Sequence, residues 1–120
     1  MQSARFSRCR KFRYLLSRTW NRSTAAITFI GLNPSTADAE HDDPTIRRCV
    51  NFASNWGYGS INMVNLFAYR STSPANLKIA AEPVGERNNY WIGLSIKQSA
   101  CVVACWGNWG KYLQRDEDIR

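Results

Sequence analysis

The sequence predicts an α/β domain, three layers built on a mainly parallel central sheet, with a basic strand or hairpin at its edge. Three observations predict it. Short β-branched and aromatic runs end in glycine, proline or asparagine, as buried strands do. Strand, loop, helix and strand follow one another within about 40 residues, the length of a right-handed parallel crossover. A chain of 120 residues has room for one core and one domain.

Each element can be justified in order. Residues 1–22 form a basic segment in which "FRYLLSRTW" reads as an edge strand, its bases discouraging further pairing. "AAITFIGLNPS" predicts a strand over Ala26 to Gly31 that opens into a turn at Pro34. Asp43 before Pro44 is a helix start, a capping side chain followed by proline at the first helical position. Ile46, Cys49, Val50, Ala53 and Trp56 then recur at helical spacing until Gly57. "SINMVNLFAY" predicts a second strand. "RSTSPANLKIAAEPVGERN" reads as a loop with one short helical turn around Ala75 to Ala81. "NNYWIGLSIKQSA" predicts a helix, "CVVACWG" a third central strand, and "NWGKYLQRDEDIR" the start of another helix. The α/β core is thus expected over residues 26–120.

Charge is concentrated at one end. Sixteen basic residues against nine acids leave +7. Arg5, Arg8, Arg10, Lys11, Arg13, Arg18 and Arg22 all precede the first acid, Asp38. With Phe6, Phe12, Tyr14 and Trp20 interleaved, this segment suits a DNA or RNA backbone, with Arg8, Arg10, Lys11, Arg13 and Arg18 as the phosphate contacts. The alternatives are a solvated edge strand, or an arm that binds an acidic protein.

Other chemistries find less support. Four cysteines form no C-x-x-C pair and are expected to be reduced, and His41 is the single histidine, so no zinc site is expected. Asp38, Glu40, Asp42 and Asp43 could hold a hard cation, but acids ahead of Pro44 also suit a helix start; no metal and no cofactor is expected. Walker, G-x-G-x-x-G and G-x-S-x-G motifs are absent, which argues against P-loop, dinucleotide and serine-hydrolase chemistry. Without a signal sequence or a run of about 18 apolar residues, the chain is expected to be cytoplasmic, with no membrane partner.

Parallel strands place their C-terminal ends on one edge, where ligands of open α/β folds bind. Here those ends read "GLNPST", "VNLFAYR" and "CWGNWG". Gly31, Leu32, Asn33, Pro34, Ser35, Thr36, Asn65, Arg70 and Asn108 are therefore the candidate ligand-binding residues.

The blocks "FSRCRKFRYLLSRTW", "GLNPSTADAEHDDPTIRRCVNFASNWGYG", "VNLFAYRSTSPANL", "PVGERN" and "CWGNWG" resemble a bacterial and phage family catalogued as domain of unknown function 1643. More distantly, "GLNP", "MVNLF" and "CWG" are similar, in order, to motifs of the uracil-DNA glycosylase superfamily. That similarity implies a base-excision relative that binds a nucleotide, nucleobase or nucleic acid. If catalytic, it would hydrolyse an N-glycosidic bond. Asn33 would position the attacking water, Asn65 would read a base edge, and Trp106 with Gly107 would lie beneath the pocket. The superfamily's final His-Pro loop has no counterpart before Arg120, so a C-terminally truncated and catalytically inactive member is the expectation. The alternative from another class is a non-enzymatic interaction module.

Overall fold

The computed structural model of the chain describes residues 2–71 and 84–105. The helical turn expected around Ala75 to Ala81, the Trp106–Gly107 pair and Asn108 lie outside these residues. Five strands, β1 (Gln2–Phe6), β2 (Arg13–Thr19), β3 (Ala26–Gly31), β4 (Ser60–Asn65) and β5 (Cys101–Ala104), join with two helices, α1 (Pro44–Asn55) and α2 (Asn88–Lys97). The strand order is β1-β2-β4-β3-β5.

The sheet is mixed, which corrects the expectation of a mainly parallel one. β3 pairs in parallel with β4 and with β5, but β2 runs antiparallel to both β1 and β4. The basic N-terminal segment is a hairpin at one edge of the sheet, the second of the two expected forms. "FRYLLSRTW" is consequently not the edge strand: β2 is flanked on both sides, and β1 is the edge.

The two helices pack on opposite faces. Leu16, Ile27, Phe29, Ile61 and Met63 meet Ile46, Cys49 and Ala53 of α1. Ile30 and Val64 meet Ile92 of α2, and the Thr28 hydroxyl donates to the Ser95 carbonyl at 3.1 Å. Alternating side chains of central strands thus supply both cores. α1 starts where the sequence places it: Asp43 accepts from the Ile46 amide at 2.9 Å, Pro44 opens the first turn, and Gly57 leaves it at φ +88°.

One irregularity decides what reaches the site. Arg5 pairs with Leu15 but Phe6 pairs with Arg13, leaving Tyr14 as an extra residue in β2. Beyond this bulge the alternation changes phase. Arg13 therefore shares the α1 face with Leu16, although three positions separate them.

Candidate functional site

Register brings the first two site residues together. Gly31, the last residue of β3, lies opposite Asn65, the last of β4. A Cβ on Gly31 would stand 2.7 Å from Asn65 Oδ1 and from Met63 Cε, so the glycine gives the asparagine amide its space. The pairing continues past the strand ends, with the Leu66 amide donating to Gly31 at 2.9 Å and Phe67 to Leu32 at 2.9 Å.

Below this turn is a chamber of about 30 Å³, lined by Arg13, Asn33, Ser35, Asp43, Met63 and Asn65 among others. That volume holds about one water molecule or one oxygen of a ligand. Arg13 and Asn65 are 2% and 1% exposed. Arg13 Nη1 donates to the Ala37 carbonyl at 3.0 Å, yet Arg13 Nε and Asn65 Nδ2 find no acceptor among the described residues. Two buried donors without partners on one chamber mark a place for an acceptor atom. Burial brings the Arg13 guanidinium down to about 10, and the nearby Asp43 carboxylate works against that shift.

Asn33 lines the same chamber, but its amide is also a turn staple. Nδ2 donates to the carbonyls of Pro34 at 3.3 Å, Tyr69 at 3.5 Å and Ser71 at 3.0 Å. Oδ1 is the atom it has left for a water. Asp43 has a double role as well, since Oδ2 accepts from the Ala37 amide at 3.3 Å while Oδ1 caps α1. Asp43→Ala is expected to lower stability by about 2 kcal/mol through both lost bonds, and Asp43→Asn by less, read from urea unfolding.

Beside the chamber, and sharing Ser35 with it, is an open basin of about 490 Å³ lined by Arg10, Lys11, Ser35, Thr36, Arg70 and Ser71. Arg70 is held there by bonds from Nε to Ser35 O at 3.3 Å, Nη1 to Arg10 O at 3.3 Å and Nη2 to Thr36 O at 3.4 Å. Its guanidinium stands 4.8 Å from the centre of the Phe6 ring, and that of Arg10 stands 4.0 Å from it. Arg10 itself adopts φ 62°, a left-handed conformation at the hairpin tip.

Two expected phosphate contacts are corrected here. Arg18 is 4% exposed, and its guanidinium bonds Asp42 at 2.8 Å and the carbonyls of Asp38 and His41 at 2.6 and 3.2 Å. Arg13 is enclosed in the chamber. Neither can lie along a backbone at the surface, whereas Arg8, Arg10 and Lys11 are exposed. Asp38, Asp42 and Asp43 are likewise engaged in holding the 38–43 loop. Asp38 Oδ1 accepts from the amides of Glu40 at 2.9 Å and His41 at 2.8 Å, which holds its carboxyl down at about 2.

The four cysteines are free; burial pushes the Cys49 thiol up to about 12, while the exposed Cys9 thiol is lowered by the Ser7 hydroxyl. Among the described residues no helix is long and apolar enough to cross a membrane.

A family model described as protein of unknown function (DUF1643) matches residues 13–120. The chain belongs to this family. No curated protein and no solved structure matches it. The DUF1643 match begins at Arg13, so the whole chamber lies within the family region, while Arg10 and Lys11 of the open basin precede it. Membership names no reaction.

Sequence reasoning missed Asn88. This first residue of α2 is fully buried, and its Nδ2 donates to the carbonyls of Asn65 at 2.8 Å and Leu66 at 3.0 Å, fixing the end of β4 from behind. Its place directly after "GER" in the "PVGERN" block was the available signal. The burial of Arg13 had none, because it depends on the bulge at Tyr14.

Proposed function

We propose that this DUF1643 domain binds a phosphate-bearing nucleotide or nucleic-acid segment at the edge where β3 and β4 end. One observation carries the reading. Arg10 and Lys11 from the hairpin and Arg70 from beyond β4 converge on one open basin whose lining, among the described residues, contains no carboxylate. The hydroxyls of Ser35, Thr36 and Ser71 add neutral donors to the same wall. The adjoining chamber, with donors from Arg13 and Asn65, suits one oxygen of the base or a single bound water.

A relation to base-excision glycosylases is part of this proposal. Its support is that Asn33 and Asn65, the water-positioning and base-reading residues that the similarity implies, line one chamber at neighbouring strand ends. In this reading a water in the chamber accepts from Arg13 Nε and Asn65 Nδ2 and donates toward Asn33 Oδ1 or the Asp43 carboxylate.

Titration with nucleoside monophosphates and uracil-containing single-stranded DNA, at low and physiological salt, tests the reading. Lys11→Glu is exposed and outside the core, so it is expected to weaken binding at least about tenfold without lowering the melting temperature. Asn65→Leu is expected to erase preference among bases. Release of free uracil would establish glycosidase activity; binding without release leaves a binding domain. A wild-type chain that binds neither nucleotide nor oligonucleotide at low salt overturns the proposal, and a preference for acidic polypeptide would favour the interaction module instead.

A further inference from the structure

Phe6 borders a second basin. About 550 Å³ in volume, it lies between the end of β1, the hairpin turn and the start of α2. Arg5, Arg8 and Arg87 face it, with Glu86 the one carboxylate in its lining among the described residues. Its aromatic wall includes Trp91, half-buried and with the Arg5 guanidinium 6.0 Å from its ring centre. Tyr90, largely exposed, meets Trp91 edge-on at 5.3 Å. Arg87 is the N-cap of α2 and makes no side-chain capping bond, and the first turn holds no acid, so Glu86, just ahead of the cap, is the carboxylate nearest in sequence to the positive helix end beside the basin.

The two basins meet at one ring. Phe6 lines the second, and the guanidiniums that stand over Phe6, those of Arg10 and Arg70, line the first. We infer that they are consecutive parts of one track for single-stranded nucleic acid. The first basin takes a nucleotide as proposed above, on which this inference rests. The second takes its neighbour, with a base stacked on Trp91 and a phosphate between Arg5 and Arg87. Alternating cations and accessible aromatic faces are what a single strand uses, whereas a duplex keeps its base faces covered. An acidic polypeptide would satisfy the arginines and leave the aromatic wall without a role.

The experiment compares thymidine monophosphate with oligothymidylates of increasing length, by fluorescence anisotropy with the full chain. Affinity is expected to rise from one nucleotide to the shortest oligomers that span both basins. Trp91→Leu is expected to weaken oligomer binding by about 5- to 150-fold, the range for loss of one stacked base, and to leave monophosphate binding unchanged. Because Trp91 is partly packed, the surface pair Arg5→Glu and Arg87→Glu provides a second arm, expected to lower oligomer affinity and flatten its salt dependence. Monophosphate binding with no gain from length, or oligomer binding indifferent to all three changes, overturns the track and leaves the first basin standing. Equal affinity for polyglutamate overturns it as well. No binding of either nucleotide probe removes the proposed function and the track together.

Discussion

Gly59→Ala is expected to destabilise the domain by about 3 kcal/mol or more, lowering the melting temperature by roughly 10 °C. Gly59 sits where the chain leaves α1 and enters β4, pressed against the turn that joins β2 to β3. Its amide donates to Ala25 O at 3.1 Å, and its carbonyl accepts from Trp20 at 2.9 Å and Asn21 at 3.0 Å. A Cβ would run into the Asn21 carbonyl and the Thr24 hydroxyl. The obstruction is largely backbone, and that backbone is held by the same three bonds, so it cannot swing aside as a side-chain tip would. The glycine is needed for close approach, not for a left-handed conformation. Thermal and urea unfolding of the alanine variant measure the cost; a loss below about 1 kcal/mol would mean that the 21–25 turn yields freely.

Arg18→Met is expected to cost about 2–3 kcal/mol. Methionine keeps the apolar stem and deletes the guanidinium that gathers Asp42, Asp38 O and His41 O. The two carbonyls then lose a charged donor within the loop that leads into α1. The cost stays below that of a fully enclosed ion pair because the Asp42 side chain is 33% exposed and can return to water. Since the same loop delivers Asp43 and Ala37 to the chamber, the variant is also expected to bind the nucleotide probes less tightly. Asp42→Asn, which keeps both carbonyl bonds, should lose well under half as much stability in the same urea titration.

These two positions show what the sequence made legible. β3 and α1 could be read almost to the residue because their signals are local: an apolar run closed by Gly31, and Asp43-Pro44 ahead of a helical stripe. The meeting of Asn33 with Asn65 was also within reach, since a parallel crossover brings successive strand ends to one edge. Long-range pairing was not. Nothing near Leu16 announces that it will lie antiparallel to Met63, so "FRYLLSRTW" read as an edge strand although β2 is interior, and only the hairpin alternative matches the edge that forms. The same gap misassigned Arg13 and Arg18. A base in an alternating run normally faces water; these two are drawn inside by a carboxylate and by loop carbonyls that are distant in the chain. The second basin was hidden for a similar reason, because Trp91 and Arg87 meet Arg5 only after α2 packs over the hairpin.

The extra residue at Tyr14 sets a counting rule for the hairpin. In a strand, shifting the alternation by one moves a side chain from one side of the sheet to the other. Shortening the stretch from Arg13 to Leu16 by a single residue would remove the bulge and leave the two side chains two positions apart, still on one face by strict alternation; straightening the bulge with every residue kept would instead carry the Arg13 guanidinium out of the chamber toward the α2 side. The extra residue is thus what lets an odd spacing deliver a cation to the chamber: a one-codon insertion that kept the bulge would carry that cation to the opposite face without altering any arginine.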